Sequence, residues 1–598
     1  MDVVMRSYDA ARSGANENEA TLTPRKVGSN LLFKKFSLDF AHRPGINDDP
    51  FLEAQPLYVA GLTMSDGNRH DAVYICTMAN NVWAFDANTA RPIWGPTNLG
   101  KPIKPGPDPN NPPPANEIDR WGINGLWGIL STPALDPQAG RMYVVCWTSP
   151  DESLANAVHE LHAIDIKSGK DVGKVQIEAS AAGQALPGKP VPKFISSKQK
   201  QRASLLLLKV GAPAKSTVFI GFGMTHEEKD PTHGWLLAYD AEKLQQTAAW
   251  CTTPGGTGCG IWQGGQGPCA DENGDVYVMT GNYGVLDQNG DTELPTPADL
   301  PESFVKLHYT PPAGGSAGKL EPVAWFTPFR DHDRPSNDGS NDPHLDDFQD
   351  YDLGSAGPLF LTGLNLVIGA GKDGVLYVLP QDTAAFGKGS DFSRLKQPPT
   401  FFTYFPGFGI DASVVANLNI LRDGKTHHQH CSPAFWAGST GPMLFNWGEN
   451  ECLRAWTIDG GGKVTFVAKS AEVASAGAGG RGGMPGGILC VSSNGKTPNT
   501  GIIWATAPIN GDANKFHVPG ILRAYDATNL DSVANLDGTP KLKLLWDSTH
   551  IPGNGFTFCK FCPPMVADGK ILVPTYDGRV DVYTLHTHQG PKQTNANF

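Results

Sequence analysis

VYICTMANNVWAFDANTARPIW, residues 73–94, holds in one stretch the unit from which the rest of the chain can be read. An alternating run ends at a small polar turn, a second run ends in Phe-Asp, and another short turn leads to a Trp-bearing segment. Period-two alternation turns one face of each run inward, and Asn-Asn and Asp-Ala-Asn-Thr are turn chemistry, so the stretch predicts successive antiparallel strands. Weaker copies are RMYVVCWTS with ELHAIDIKSGKDV, STVFIGFG with GWLLAYDAEKLQQTAAW, and DVYVMTGN with ESFVKLH. NLVIGAGKDGVLYVLP, LFNWGENECLRAWTIDG, IIWATAP with GILRAYDATNL, and KILVPTYDGRVDVYTL bring the hairpins to eight.

Each hairpin is preceded by a strand of small residues or Pro: AQPLYV at 54, STPALD at 131, RASLLL at 202, GQGPCA at 265, SAGPLF at 355, HCSPAF at 430, MPGGIL at 484 and KFCPPMV at 560. Small residues suit innermost strands, where sheets converge on an axis and backbones approach closely. The Trp-bearing segments are then expected to be the outer strands. The reading is all-β: a single eight-bladed β-propeller of four-stranded antiparallel blades over residues 1–598. The last copy lacks an outer strand, and LLFKKFSLDF, residues 31–40, is predicted to supply it and remove an open sheet edge. Loop insertions fall near 97–130 (Pro-rich over 102–114), 282–301, 308–352 (acidic over 330–352) and 384–427.

Composition agrees with many short strands: 69 Gly and 49 Pro among 598 residues, with 18% charged residues. A net charge of −12 argues against nucleic acid as a partner, because phosphate binding needs clustered Lys and Arg. No run reaches the roughly 18 apolar residues of a membrane span, and the segment after Met1 lacks the apolar core of a secretion signal. The chain reads as soluble, and export after removal of a leader stays open. Among ten Cys only Cys559 and Cys562 have C-x-x-C spacing, with no second pair to complete a zinc site. They read as structural. A bridge among Cys251, Cys259 and Cys269 is left open.

The motifs VWAFDANTARPIW, LHAIDIKSG, LLAYDAEKL and LRAYDATNL, together with the inner-strand segments, resemble the quinoprotein (pyrroloquinoline-quinone-type) alcohol dehydrogenase-like β-propeller superfamily. The resemblance runs from RSYDAARSGANENEATLTP to VPTYDGRVDVYTL. It implies a quinone in the central channel, a cation, typically calcium, held by Glu, Asn and Asp, an Asp acting as base, and a Trp stacked on the ring. The adjacent Cys pair of many members is absent here, as is a C-x-x-C-H haem motif.

If inner strands converge, polar residues at their channel ends meet in space. That collects Glu53, Gln55, Arg202, Trp262, Gln263, Asp352, His428, His430, Arg481 and Lys560. In THHQHC, His428 and His430 are two apart and share one side of a strand, a spacing that suits a shared metal or acid/base work. His226 and His233 flank a loop of the third repeat and are expected on the same face. One reading is an oxidoreductase acting on an alcohol or sugar. In it Arg202, Lys372, Arg481 and Lys560 pair with the quinone's carboxylates, Glu53 or Asp352 holds calcium, and Trp262 with Gln263 lines the cofactor. A second reading discards the quinone: His428 and His430 with Glu53 or Asp352, and a transition metal held by Glu53, His226, His233, His428 and His430, perform lyase or hydrolase chemistry on a small polar substrate. The third is a non-catalytic binding or scaffold propeller. Oligomeric state is not readable.

Overall fold

The computed structural model describes residues 1–43, 51–104, 125–225, 232–264, 266–283, 296, 298–327, 352–372, 374–382, 400–401, 428–474, 484–513 and 516–586. Its strands form eight mainly antiparallel sheets, one for each repeat, arranged as an eight-bladed β-propeller. Blade one is made by Leu57–Thr63, Arg69–Cys76, Asn81–Asp86 and Pro92–Asn98, innermost to outermost. The inner strands of the other seven begin at Ala134, Leu206, Cys269, Leu359, Ala434, Ile488 and Met565. The final blade is completed by Leu32–Asp39, which pairs antiparallel with Arg579–Leu585, as predicted for residues 31–40. The insertions fall largely outside the described residues. Among the described residues no helix is long and apolar enough to cross a membrane.

The Asp that ends each repeat's clearest motif has a local cause. The carboxylates of Asp86, Asp165, Asp240 and Asp526 each accept the backbone N–H groups two and three residues further on, closing the turn between third and fourth strands. The turn Gly of one repeat is explained by the Trp of the one before it. Gly169 has φ +74°, and a Cβ there would lie 2.4 Å from the Trp94 ring. Trp94 and Tyr74 both donate to the Ile166 carbonyl at 3.1 Å, which docks blade one on blade two. Trp94, Trp250, Trp325 and Trp546 lie on outer strands as expected, but Trp147, Trp235, Trp436 and Trp504 lie on other strands and fill the packing between blades.

One element was not read from the sequence at all. Residues 1–19 form a belt across the inner strands. The N–H groups of Tyr58, Leu135, Ala270, Phe360, Phe435 and Val491, in blades one, two, four, five, six and seven, donate to the carbonyls of Val3, Val4, Ala10, Ala11, Ser13 and Gly14 at 2.8 to 3.0 Å. In blade three the Leu207 N–H meets Met5 Sδ, and in blade eight the Val566 N–H donates to Tyr8 Oη. The buried Arg12 guanidinium donates to the carbonyls of Pro268, Arg6 and Leu205, tying blades three and four to the belt. Inner strands have one edge without a strand partner, and the belt supplies acceptors to that edge in every blade.

Candidate active site in the channel

The segments that lead into the inner strands carry the candidate residues, and three groups form there. Blades one and three are not neighbours, so a contact between their leading segments is made inside the channel, past blade two. Glu53 of blade one makes it: Arg202 Nε lies 3.1 Å from one carboxylate oxygen, and Lys560 Nζ of blade eight lies 3.4 Å from the other. The Glu53 side chain is fully buried. Burial lowers the Lys560 ammonium from its ordinary range, and Glu53 opposes that shift. Two cations face one carboxylate, and the guanidinium of Arg202 also lies over the Phe561 ring, 4.9 Å from its centroid. The C-x-x-C residues hold this corner: Cys562 and Cys559 donate their thiols to the carbonyls of Glu53 and Leu52 at 2.9 Å. All ten Cys are free thiols, so the bridge left open among Cys251, Cys259 and Cys269 does not form.

The second group is a platform. Trp262 lies against three glycines from neighbouring segments: a Cβ on Gly223, Gly260 or Gly281 would come within 2.9 Å of its ring. The indole therefore rests on bare backbone and stays partly exposed. At its edge is Asp352, whose Oδ2 receives Lys372 Nζ at 2.6 Å and whose Oδ1 accepts the Asn282 N–H at 3.1 Å. Asn282 Oδ1 is buried with no hydrogen-bond partner. The carboxylate, and the orphaned amide oxygen on the residue whose N–H it accepts, are hard donors of the type calcium takes.

The third group is His428, His430 and Glu449. His430 Nε2 lies 3.0 Å and His428 Nδ1 3.7 Å from the Glu449 carboxylate, and the three ligating atoms lie within 4.8 Å of one another. Gln429, between the histidines, donates its N–H to the Gly371 carbonyl, so this group adjoins Lys372.

No protein-family profile matches the sequence, and comparison with curated proteins finds no match. Comparison of folds does. A quinohemoprotein alcohol dehydrogenase from Pseudomonas putida superposes with a TM-score of 0.52 at 13% identity, covering 98% of this chain and 80% of that one. That of Comamonas testosteroni gives 0.51 at 16% identity, with the same 98% and 80%. The fold is that of the quinoprotein alcohol dehydrogenases.

In this eight-bladed propeller the predicted residues divide clearly. Glu53, Arg202 and Lys560 come together, as do Trp262, Asp352 and Lys372, and His428 with His430. Glu53 is partnered by cations rather than by histidines. Gln263 is fully buried, its N–H donating to the Gly354 carbonyl, so it supports the Trp262 loop instead of lining the channel. His233 packs in blade three with Nδ1 3.2 Å from Thr253 Oγ1, and burial lowers its pKa. It does not join His428 and His430. His226 and Arg481 lie outside the described residues. Two members of these groups were not among the expected residues, Asn282 and Glu449. Their signal was present in the repeats: Gly281-Asn282, Gly371-Lys372 and Gly448-Glu449 each follow closely on the second strand of blades four, five and six. A polar residue at one offset in three consecutive repeats points to one place in space.

Proposed function

We propose that this protein is an oxidoreductase that holds pyrroloquinoline quinone and a divalent cation in its channel and oxidises an alcohol or sugar. The observation that carries the reading is the Trp262 ring, bedded on Gly223, Gly260 and Gly281 with Asp352 and Lys372 at its edge. A planar cofactor needs a flat apolar support, and close backbone beneath an indole makes a rigid one. Asp352 and Asn282 Oδ1 would hold the cation, and the surplus cations around Glu53, Arg202 and Lys560, suit the carboxylates of the quinone. When bound, the quinone supplies the two-electron acceptor for the hydride leaving the alcohol carbon. Asp352 takes the hydroxyl proton at Oδ1 or Oδ2, and Lys372 keeps the carboxylate oriented through its charge-assisted hydrogen bond. Glu53 fixes Arg202 and Lys560 so that neither swings into the substrate space.

The test is incubation of the purified protein with pyrroloquinoline quinone and calcium. The reading expects the cofactor's absorbance to be acquired, an artificial dye to be reduced with some alcohol or sugar, and Trp262→Ala to lose the absorbance. The convergence of His428, His430 and Glu449 favours a second reading, a transition metal at that group serving lyase or hydrolase chemistry. Failure to acquire the quinone, together with metal binding that His430→Ala removes, would replace the first reading by the second.

A further inference from the structure

Blade two contains a cluster that nothing in the channel chemistry uses. Cys146 on Arg141–Thr148 is the cross-strand partner of Glu160 on Val158–Asp165, and His162 stands two residues along the same strand. Strand alternation puts all three on one face, the face toward the end of blade one, where Cys146 Sγ lies 3.8 Å from the Leu99 carbonyl. His162 Nε2 is 3.3 Å from Cys146 Sγ and 3.4 Å from Glu160 Oε2. The three ligating atoms lie within 4.8 Å of one another. We propose that Cys146, Glu160 and His162 form a binding site for a divalent transition metal of the zinc class.

Geometry is the first argument. A tetrahedral zinc with bonds of about 2.3 Å to sulfur and about 2.0–2.2 Å to nitrogen and oxygen separates its S and N ligands by about 3.6 Å and its N and O ligands by about 3.4 Å. The observed separations differ from these by a few tenths of an ångström or less. Imidazole is the second argument. One ring nitrogen carries one in-plane proton, yet a thiol and a carboxylate both converge on His162 Nε2, whereas a metal at their common centre would be bonded by all three. The other ring nitrogen is already committed: Nδ1 lies 2.9 Å from Asp171 Oδ2, the outer carboxylate that holds a ligating histidine in the tautomer with Nε2 free to bind.

Charge closes as well. Binding releases the thiol proton of Cys146, so a thiolate and the Glu160 carboxylate balance the two positive charges of the metal. Asp171 and Lys174 balance each other; Lys174 Nζ stands 2.9 Å from Glu160 Oε1 and 3.1 Å from Oε2, so on metal binding it keeps Oε1 and shares Oε2 with the metal. Cys146 and His162 are fully buried while Glu160 reaches the edge of the cluster, so the fourth position falls to a water on the Glu160 side.

The experiment strips the full-length protein of metal with a chelator and titrates it with cobalt(II), then competes with zinc. We expect one equivalent to produce a near-ultraviolet thiolate-to-cobalt charge-transfer band, bleached by zinc, with the band lost and zinc content lowered by one per chain in Cys146→Ser. The His428, His430 and Glu449 group has no sulfur and produces no such band. A Cys146→Ser protein with the wild-type band and zinc content overturns the proposal, as does absence of the band in the wild type. If Cys146→Ser does not fold, Glu160→Gln decides: at least tenfold weaker cobalt binding supports the site, and unchanged binding overturns it.

Discussion

The two ends of the inner strands are built on opposite principles. At the leading end, charges are buried in excess: Arg202 and Lys560 on Glu53, Lys372 on Asp352, two histidines on Glu449. Further along the same strands, the belt of residues 1–19 presents mostly backbone carbonyls to backbone N–H groups, and the more deeply buried of its two buried arginines, Arg12, donates to three carbonyls. The first end places chemistry at the cost of electrostatic stress. The second gives stability and contributes no candidate catalytic group. A propeller can tolerate a stressed channel because another part of the same strands is held mainly by backbone hydrogen bonds.

The largest effect that tests this contrast is removal of the belt. Deleting residues 1–19 strips acceptors from all eight inner strands, a loss on the order of 10 kcal/mol, which is comparable to the whole stability of a domain. The shortened protein is expected to lose its cooperative thermal transition, and deletion of residues 1–40 to leave the last blade open as well. A transition at the wild-type temperature would break the comparison outright.

Next comes Asp352→Asn, which belongs to the stressed end. It should reduce dye-linked turnover by about a hundredfold to ten-thousandfold, with a lower but still cooperative melting transition because Lys372 loses its charged partner. Wild-type turnover by the folded variant would mean that Asp352 serves the fold rather than the reaction.

Glu53→Gln is expected to cost about 3 kcal/mol in denaturant unfolding, because Arg202 and Lys560 are left facing each other without their carboxylate. The pH dependence has a definite sign. Lys560 has a folded-state pKa below 10.5, chiefly from burial, so between that value and 10.5 the unfolded chain binds more protons and stability rises with pH. Removing Glu53 deepens the depression, so the rise should begin at lower pH in the variant, as followed by melting temperature across the alkaline range.

The smallest effect sharpens the boundary between the two ends. Ser7 of the belt donates its hydroxyl to Gln266 Oε1 at 2.8 Å and its N–H to Gln55 Oε1 at 3.2 Å. Ser7→Ala removes only the first bond and should cost about 1 kcal/mol, with turnover unchanged.

What could be read in advance follows the range of the information. Alternation of period two, the Asp turn and the small residues of the inner strands act over a few neighbours, and they were sufficient for eight blades and for the closing strand at Leu32–Asp39. The site was half legible. Residues ahead of the inner strands were expected to converge, but which would touch was not readable, and Gln263 and His233 turned inward to packing roles. Asn282 and Glu449 sit in turns whose importance appears only when three repeats are aligned by position.

By itself, then, the sequence determined the repeat, the number of blades and the ring closure, because hydrophobic periodicity and turn chemistry are local. Tertiary structure alone decided that Glu53 meets Arg202, 149 residues away, past the intervening blade two, and that an irregular N-terminal stretch without periodicity threads every blade. Those contacts depend on where each strand stands around the ring. That angular position is set by the packing of whole blades against one another, which no short window of residues encodes.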